Sequence, residues 1–479
     1  MITRKLGVRY LWIDSLCIIQ DCTSDWEKES PKMCDIYQNA LFTISATHAT
    51  DSTEGCFRPR EGNVVRPTEL SINVSFWDTS KKTVFLYFAP LHDYFGIGEG
   101  ESDFEEKAKP LESRAWVLQE SVLSRRTLSY TGNGLEWACQ QSHCAETWPD
   151  RTARSNFKHH ATRFASGRKH PAGKDTRTTH LERWNEWEAW QNLLYDYTSR
   201  KLTYSKDRLA AIRGVAEAYR QALGITYLAG LWKEFLIYDL CWKAEGLGTG
   251  NIDHNPYRDE FPLAPSWSWA STNGVIKNNV AMVHRISRAR VPPIPLAILR
   301  HVDLEAVSAS QLGSIVITGY TRDVKITTSG FSFYLYDLED RYLEASLNLD
   351  QELPLPCQMT FLLLVNSYPA QLPHTHAGGM ALLCMAIMPC AETGYYKRVG
   401  MARMGVNDWL SNKDAGGVWP ASWAGRRANS FARWQVRRGI RPRLHWENFV
   451  QAGWGTDVPR LSPEQMAPGK IHWETVTIV

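Results

Sequence analysis

The first 150 residues alternate short apolar runs with apolar positions at helical spacing. The run from Tyr10 to Ile13 is typical of a buried strand. A helical stripe follows, and residues 41–46 then alternate β-branched and polar positions, which predicts a second strand. The residues of the stripe are Met33, Ile36, Tyr37 and Ala40. Strand, helix and strand in this order predict a βαβ unit with parallel strands and a right-handed crossover.

Further elements in the same region support an α/β fold. The spacing predicts a helix from Ser113 to Leu123 and a strand from Val84 to Phe88. A hairpin is expected from Thr127 to Cys139, because residues 132–134 read Gly-Asn-Gly between two strand-like runs. We therefore predict a Rossmann-like α/β domain over residues 1–150.

Residues 151–180 are basic and poor in apolar side chains, which favours a solvated linker. A contact with nucleic acid or an acidic partner is the alternative for this linker. Residues 181–274 carry three helical stripes, beginning at Trp184, Leu209 and Leu228, and predict a helical region. Its last segment, Ala264 to Ser271, alternates like a strand.

Residues 280–417 predict a β-rich region. Strand-like runs occur at Ser314–Tyr320, Phe331–Tyr336, Met359–Val365 and Met380–Met388. An Arg-rich tail, residues 418–479, follows; between Arg426 and Arg443 it has seven arginines and no acidic residue. This stretch is typical of a solvated helix or a mobile end, and phosphate and base contact is the alternative.

Composition narrows the function classes. The chain has 43% hydrophobic and 22% charged residues and a formal net charge of +3, as in an ordinary globular protein. This balance gives no global field for nucleic acid or membrane, so we expect neither as a partner. The 10 cysteines form no CxxC pair, the first apolar run is broken by Arg9 and Asp14, and the longest apolar stretch is too short to span a membrane. We therefore expect no signal peptide and a reducing cytosolic or nuclear compartment, with the cytoplasm as the predicted location.

Common catalytic signatures such as GxSxG, HExxH and the Walker loop do not occur in the sequence. The pair His374 and His376 has metal-like spacing but no neighbouring ligand, so we expect no metal site. The position of polar residues relative to the predicted strands indicates a site instead, because open parallel sheets bind ligands beyond the carboxyl ends of their strands. Asp14, Cys17 and Gln20 follow the first predicted strand and become candidate site residues. The alternative is that Asp14 caps the turn and Cys17 is a small buried filler.

A second group of candidates lies on the helix predicted at 113–123. Trp116 and Glu120 are one turn apart, and Arg114 and Gln119 are close by in sequence. Together these side chains could bind a polar ligand against the indole ring of Trp116. Equally, Glu120 could be a structural carboxylate paired with Arg125 or Arg126.

The segment Arg9–Gln20 (RYLWIDSLCIIQ) resembles the central signature of the heterokaryon incompatibility (HET) domain. Asp25-Trp26, the stripe from Met33 to Ala40, Ser113–Glu120 (SRAWVLQE) and Leu135–Cys139 (LEWAC) continue this resemblance in order. Residues up to 274 are similar to the helical segment common after HET domains. The region 1–150 is thus expected to be a partial HET domain, because an earlier Leu-Ser-Tyr-x-Trp-Gly-like block is not found. A sheet without that strand would expose an edge.

The resemblance implies a role in fungal non-self recognition and programmed cell death. HET domains are also considered distant relatives of the TIR fold, some members of which cleave NAD with a glutamate. By that analogy Glu120, with Asp14 and Cys17, would be catalytic, and Arg114, Trp116, Gln119 and Gln20 would bind the substrate. NAD would then be a substrate and no cofactor is expected. The alternatives are a non-enzymatic module that acts through protein partners or self-assembly, and an inactive truncated remnant.

Overall fold

The structure is a computed structural model that describes residues 1–57, 68–75, 81–88, 110–132, 134–139, 141–146, 176–245, 264–281, 293–304, 313–329, 332–367, 381–391, 394–405, 409 and 471–479. These divide into two compact units. The N-terminal unit comprises Met1–His170, Arg200–Leu202 and Ala210–Ala222. The C-terminal unit comprises Pro171–Ser199, Thr203–Leu209 and Leu223–Val479.

The N-terminal unit mixes short helices with a four-stranded sheet. Its helices are α1 (Ile2–Lys5), α2 (Asp14–Cys17), α3 (Thr23–Glu29), α4 (Met33–Asn39) and α5 (Ala115–Leu123). Its strands are β1 (Thr43–Ser45), β2 (Thr68–Ser75), β3 (Lys81–Phe88), β4 (Arg126–Thr131), β5 (Gly134–Cys139) and β6 (His143–Ala145). The order in the main sheet is β1-β4-β5-β6, and β2 and β3 form a separate antiparallel pair.

One parallel strand pair is present in this unit. Strand β1 pairs with β4 in parallel, with Ile44 opposite Leu128, and α5 lies between them in the chain. The predicted helix at 113–123, the hairpin at 127–139 and the strand at 84–88 are confirmed. The strand–helix–strand arrangement therefore runs through β1, α5 and β4.

The buried strand predicted at Tyr10–Ile13 is wrong. Ile13 has an extended backbone, with φ −136° and ψ 124°, but residues 10–13 pair with no strand among the described residues. Tyr10 and Leu11 are 78% and 57% exposed. An extended segment becomes a strand only when a neighbour takes up its backbone hydrogen bonds. The predicted βαβ unit that begins at Tyr10 is consequently not formed, and the Rossmann-like or TIR-like classification is not confirmed.

Two later segments complete the N-terminal unit. The backbone of Lys201 donates to Ser113 O at 2.7 Å and accepts from Ala115 N at 2.9 Å. Helix α7 (Ala210–Leu223) belongs to this unit except for its last residue. The residues buried here include Met33, Val117, Leu118, Val122, Leu123, Ile212, Val215 and Ala216. Full burial of an aliphatic side chain of this size contributes about 1.5–3 kcal/mol, so α7 is a substantial part of the core.

The C-terminal unit begins with α6 (Thr176–Ser199), a 24-residue helix. The predicted tryptophan stripe is confirmed: Trp184, Trp187, Trp190, Leu194 and Tyr197 are all buried. After it come α8 (Leu236–Asp239), β7 (Tyr227–Leu228), β8 (Leu231–Trp232), β9 (Trp242–Glu245) and β10 (Val275–Asn278).

Two predictions for residues 228–271 are wrong. The segment 228–240, expected to be one helix, contains β7 and β8, a 3-10 turn at Lys233–Phe235 and one turn of α8. Ala229 and Gly230 have φ values of +46° and +99°, which a right-handed helix does not allow. The alternating segment 264–271 forms turns and a 3-10 helix at Trp269–Ser271.

The β-rich region is confirmed. Its strands are β11 (Ile294–Pro295), β12 (Ile298–Asp303), β13 (Ser314–Ser329), β14 (Ser332–Tyr336), β15 (Tyr342–Leu343), β16 (Ala345–Leu349), β17 (Cys357–Ser367), β18 (Ala381–Pro389), β19 (Tyr395–Gly405) and β20 (His472–Ile478). They form one 10-stranded sheet. Because β13 pairs with both β17 and β20, the run β17-β18-β19-β20-β13 closes on itself.

An arginine lies fully buried in this unit. The Arg398 guanidinium donates to Asp350 Oδ2 at 2.7 Å and to the carbonyl oxygens of Leu240 and Trp242, both at 2.6 Å. Its carbon Cζ lies 3.4 Å from the ring centroid of Trp242. The charge is tolerated because these three acceptors and the Trp242 ring replace its hydration.

The basic segments fall mostly outside the described residues. Residues 151–175 and 410–470 are not described, whereas Thr176–His180 lie in α6 and residues 472–478 in β20. The pair His374 and His376 also lies outside the described residues.

Candidate functional site

Helix α5 presents two different faces. Its N-cap residue is Arg114, with φ −87° and ψ 133°, and the Lys201 backbone holds the first turn in place. Leu118 and Val122 face the core and are 1% and 2% exposed. Trp116 and Glu120 are only partly buried and lie one turn apart. The polar face of α5 can therefore meet a ligand while the apolar face anchors the helix.

Glu120 has a partner on another helix. The side chain of Tyr37 on α4 lies near enough to the Glu120 carboxylate that each group shifts the pKa of the other. Burial and then the neighbouring Glu120 carboxylate raise the pKa of Tyr37, so its hydroxyl keeps its proton.

Two further charged groups lie close enough to affect Glu120. Burial is the main cause that raises the pKa of the Glu120 carboxyl, and the Asp14 charge adds to the rise. The Tyr37 hydroxyl and the Arg114 charge lower the pKa of Glu120 and so oppose the rise. The same Asp14 and Arg114 charges act on Tyr37. Asp14, Tyr37, Arg114 and Glu120 therefore form one electrostatically coupled group, which we call the Glu120 cluster.

Aromatic rings border this cluster. The ring centroids of Trp12 and Tyr37 lie 5.8 Å apart in an edge-to-face arrangement. Trp26 and Trp116 form a second edge-to-face pair, with centroids 6.2 Å apart. Edge-to-face pairs of this kind restrict ring rotation and contribute about 0.5–1.5 kcal/mol beyond buried area.

Three predicted site residues have other surroundings. Cys17 is exposed, so the alternative in which it fills a buried space is wrong. Gln20 donates to the carbonyl oxygens of Ile18 at 2.8 Å and Asp14 at 3.3 Å, which is a local turn contact. Gln119 is buried and accepts from Gly214 N at 2.8 Å. Gln119 therefore connects α5 to α7, and no contact places it in the Glu120 cluster.

The structural alternatives proposed for Asp14 and Glu120 have different outcomes. Asp14 accepts from Ser15 N at 2.8 Å, as expected for a residue at a turn, but its charge also acts on Glu120. Glu120 forms no ion pair with Arg125 or Arg126 in the described part of the chain. Arg126 instead donates to Leu41 O at 3.2 Å. The catalytic and binding roles themselves stay predictions.

Sequence reasoning missed Tyr37 and Trp12 as members of the site. Tyr37 was assigned to the apolar stripe of a helix. A signal was present, because a tyrosine on a packed helical face carries a hydroxyl that needs a hydrogen-bond partner.

Metal binding has no support from the described ranges, where no group of three or more His, Cys, Asp or Glu side chains is placed to hold an ion. Among the helices described, none combines the length and apolar character needed to cross a bilayer.

The comparison with protein families agrees with the resemblance seen in the sequence. Residues 1–120 match the family model described as Heterokaryon incompatibility protein (HET), and the match ends at Glu120. No curated protein and no solved structure matches the chain. The HET match thus covers the first part of the N-terminal unit, including Asp14, Tyr37, Arg114 and Glu120.

Proposed function

From the HET match over residues 1–120, we propose that this chain acts in heterokaryon incompatibility as an effector of cell death, and that its N-terminal unit hydrolyses the glycosidic bond of NAD. The observation that carries the proposal is the Glu120 cluster: a partly buried carboxylate with a raised pKa, beside a tyrosine hydroxyl, a second carboxylate and an arginine. Perturbed carboxyl groups coupled to specific partners are characteristic of functional sites.

Hydrolysis of the NAD glycosidic bond is favoured by a carboxylate close to the atom on which positive charge develops. When the bond between the pyridinium nitrogen and the ribose C1′ breaks, its electron pair leaves with nicotinamide, which becomes neutral. The ribose then carries oxocarbenium-like charge. A carboxylate shielded from water stabilises that charge strongly. Water adds to C1′, and its proton passes to Glu120, which restores neutrality at the sugar.

The other members of the cluster have complementary roles in this proposal. Arg114 is exposed and carries a guanidinium suited to a phosphate oxygen. Asp14 can accept hydrogen bonds from ribose hydroxyls. Trp116, on the same helical face as Glu120, offers an aromatic surface to a flat ring.

The test compares Glu120→Gln with the parent. Glutamine keeps the size and one acceptor oxygen but cannot take up a proton. We expect NAD consumption by the purified chain to fall by at least about 100-fold, the typical contribution of a general acid or base, and cell killing on expression in a fungal host to fall with it. The matched control is Glu27→Gln on α3, where the glutamate is exposed. A folded Glu120→Gln protein that kills as well as the parent, with no NAD loss from either, would remove the catalytic proposal.

A non-enzymatic interaction module is the second candidate function. It is favoured by the exposed apolar side chains of the segment before and around α2. Tyr10, Leu11, Leu16 and Ile19 are between 57% and 79% exposed. Exposed apolar side chains of this kind often mark contacts with other proteins. Under this candidate, Leu16→Ser would abolish cell killing, whereas Glu120→Gln would leave it unchanged.

A further inference from the structure

We propose that the outer face of β14 and β15 binds a basic peptide segment of a partner protein, with arginine side chains stacked on Tyr334, Tyr336 and Tyr342. We call these three residues the tyrosine surface. They belong to the C-terminal unit, so binding there is independent of the NAD hydrolysis proposed for the N-terminal unit.

The alternation of side chains along the strands places the three tyrosines on the side of the sheet away from the core. Leu335 and its register partner Leu343 are each 1% exposed and belong to the hydrophobic core of the sheet. Tyr334 and Tyr336 flank Leu335 in β14 and therefore lie on the opposite face. Tyr342 is the register partner of Tyr336 on β15 and shares that face. Burial of the leucines thus fixes the orientation of the tyrosines.

The three rings lie close together and are still accessible. Tyr334 and Tyr342 are 37% and 55% exposed. The ring centroid of Tyr342 lies 6.4 Å from that of Tyr334 and 6.0 Å from that of Tyr336. The ring planes are inclined to one another by 51° and 71°, so the rings do not cover each other by parallel stacking. Grouped exposed side chains of this size mark a contact surface.

The charges around the tyrosine surface favour a cationic ligand. In the described part of residues 322–344, the charged side chains that reach solvent are the four acids Asp323, Glu339, Asp340 and Glu344 and the two bases Lys325 and Arg341. Both bases are held by acids, because Lys325 Nζ lies 2.7 Å from Asp340 Oδ1 and Arg341 Nη2 lies 3.5 Å from Glu339 Oε2. The excess of acids attracts a basic segment and repels the phosphates of a nucleic acid.

Arginine is the cation that fits the rings. Its guanidinium is planar, stacks on aromatic faces and is more weakly hydrated than the ammonium of lysine. Side chains at alternate positions of an extended peptide are about 6.6–6.8 Å apart. This spacing is close to the 6.0 and 6.4 Å between the ring centroids. A segment with arginine at every second position would therefore place successive guanidinium groups over neighbouring rings.

The experiment is a calorimetric titration of the full chain with a short peptide that alternates arginine and serine. Tyr342→Ala and Tyr334→Ala should each weaken binding about 2- to 5-fold, the size of an exposed cation–π contact. Tyr342→Phe keeps the ring and should bind like the parent. The matched control is Tyr204→Ala, because Tyr204 is 61% exposed and belongs to the same unit but not to the tyrosine surface. If Tyr342→Ala does not fold, Tyr334→Ala alone decides.

Two further titrations separate ring stacking from simple charge attraction and from other ligands. The same peptide with lysine in place of arginine should bind more weakly. Equal binding of both peptides, no binding of the arginine peptide, or an unchanged affinity in the folded alanine variants would overturn the proposal. An oligothymidylate tests base stacking and a soluble glucan tests sugar binding. Tighter binding of either, lost in Tyr342→Ala, would also overturn it, as would self-association in sedimentation that Tyr342→Ala abolishes.

Discussion

Replacing Gly214 by alanine gives a test in which ordinary helix energetics and the observed packing predict opposite signs. Gly214 lies inside α7, where exchanging glycine for alanine normally stabilises a helix by about 1 kcal/mol. Here a Cβ would lie 2.6 Å from Gln119 Oε1 and 2.9 Å from Cys34 Cβ. Both neighbours belong to other helices of the N-terminal unit, α5 and α4.

The loss of stability in Gly214→Ala can be estimated from the side chains that the new Cβ would displace. Overpacking of this kind costs about 1–3 kcal/mol. Gln119 is 2% exposed, and its amide oxygen accepts from Gly214 N at 2.8 Å. If the side chain is pushed aside, that buried oxygen loses its partner, which costs about 1–3 kcal/mol more. After the gain in helix propensity, we expect a net loss of about 1–5 kcal/mol.

Hydrogen exchange measured by mass spectrometry is the suitable assay, because a chain with two compact units need not unfold in one step. Amides of α5 and α7 should lose protection by about tenfold for each 1.4 kcal/mol in Gly214→Ala. The matched control is the same substitution combined with Gln119→Ala, where the space is partly free and the penalty should shrink. Equal or greater protection in Gly214→Ala alone would refute the close approach of α5, α4 and α7.

Three predictions concern the C-terminal unit, each measured by urea unfolding and by exchange of its strands. Gly230→Ala should destabilise it by about 2–4 kcal/mol, because φ is +99° and the new Cβ would lie 2.6 Å from Trp269 Nε1; a neutral result would contradict this turn. Arg398→Met should cost about 3–5 kcal/mol by removing the guanidinium that donates to the buried Asp350 carboxylate, and a smaller loss in the double variant with Asp350→Asn is the check. Burial raises the pKa of Asp239 from 3.8 to about 7, although three groups donate hydrogen bonds to its carboxylate. The protonated Asp239 therefore contributes to folding stability below pH 3.8, and this contribution is lost as the pH rises through about 7. The free energy of unfolding should fall by roughly 4 kcal/mol over that range, and Asp239→Asn should remove this pH dependence.

Local sequence patterns were sufficient where the structure is made of local contacts. Helix α5 was predictable because its apolar residues, such as Leu118 and Val122, recur at helical spacing on the buried side. The hairpin of β4 and β5 followed from two strand-like runs around a Gly-Asn-Gly turn. Four strands of the C-terminal unit, β13, β14, β17 and β18, were predictable in the same way, because they contain strand-like apolar runs and lie inside one sheet.

Patterns failed where long-range contacts decide the structure. The run Tyr10–Ile13 has strand-like residues, but strand formation depends on a paired neighbour that the sequence of this run does not specify. In residues 228–240, apolar side chains recur at helical spacing, yet the chain turns sharply at Ala229 and Gly230. That turn is held by Ser268, whose hydroxyl donates to Ala229 O at 2.5 Å, and by Trp269, whose Nε1 donates to Gly230 O at 2.8 Å. Partners some 39 residues away are not visible in a local window.

The candidate site illustrates the same division between local and long-range information. Asp14, Arg114 and Glu120 were identifiable as polar residues beside predicted elements, but Tyr37 entered only through the packing of α4 on α5. The far side of α5 depends on residues still later in the chain, since Gln119 is held by Gly214 of α7 and the helix start by the Lys201 backbone. The segment that matches the HET family therefore carries the Glu120 cluster, while residues beyond the match fix the helix on which Glu120 stands. Substitutions in α7 should accordingly be regarded as perturbations of the site, even though α7 contributes no group to it.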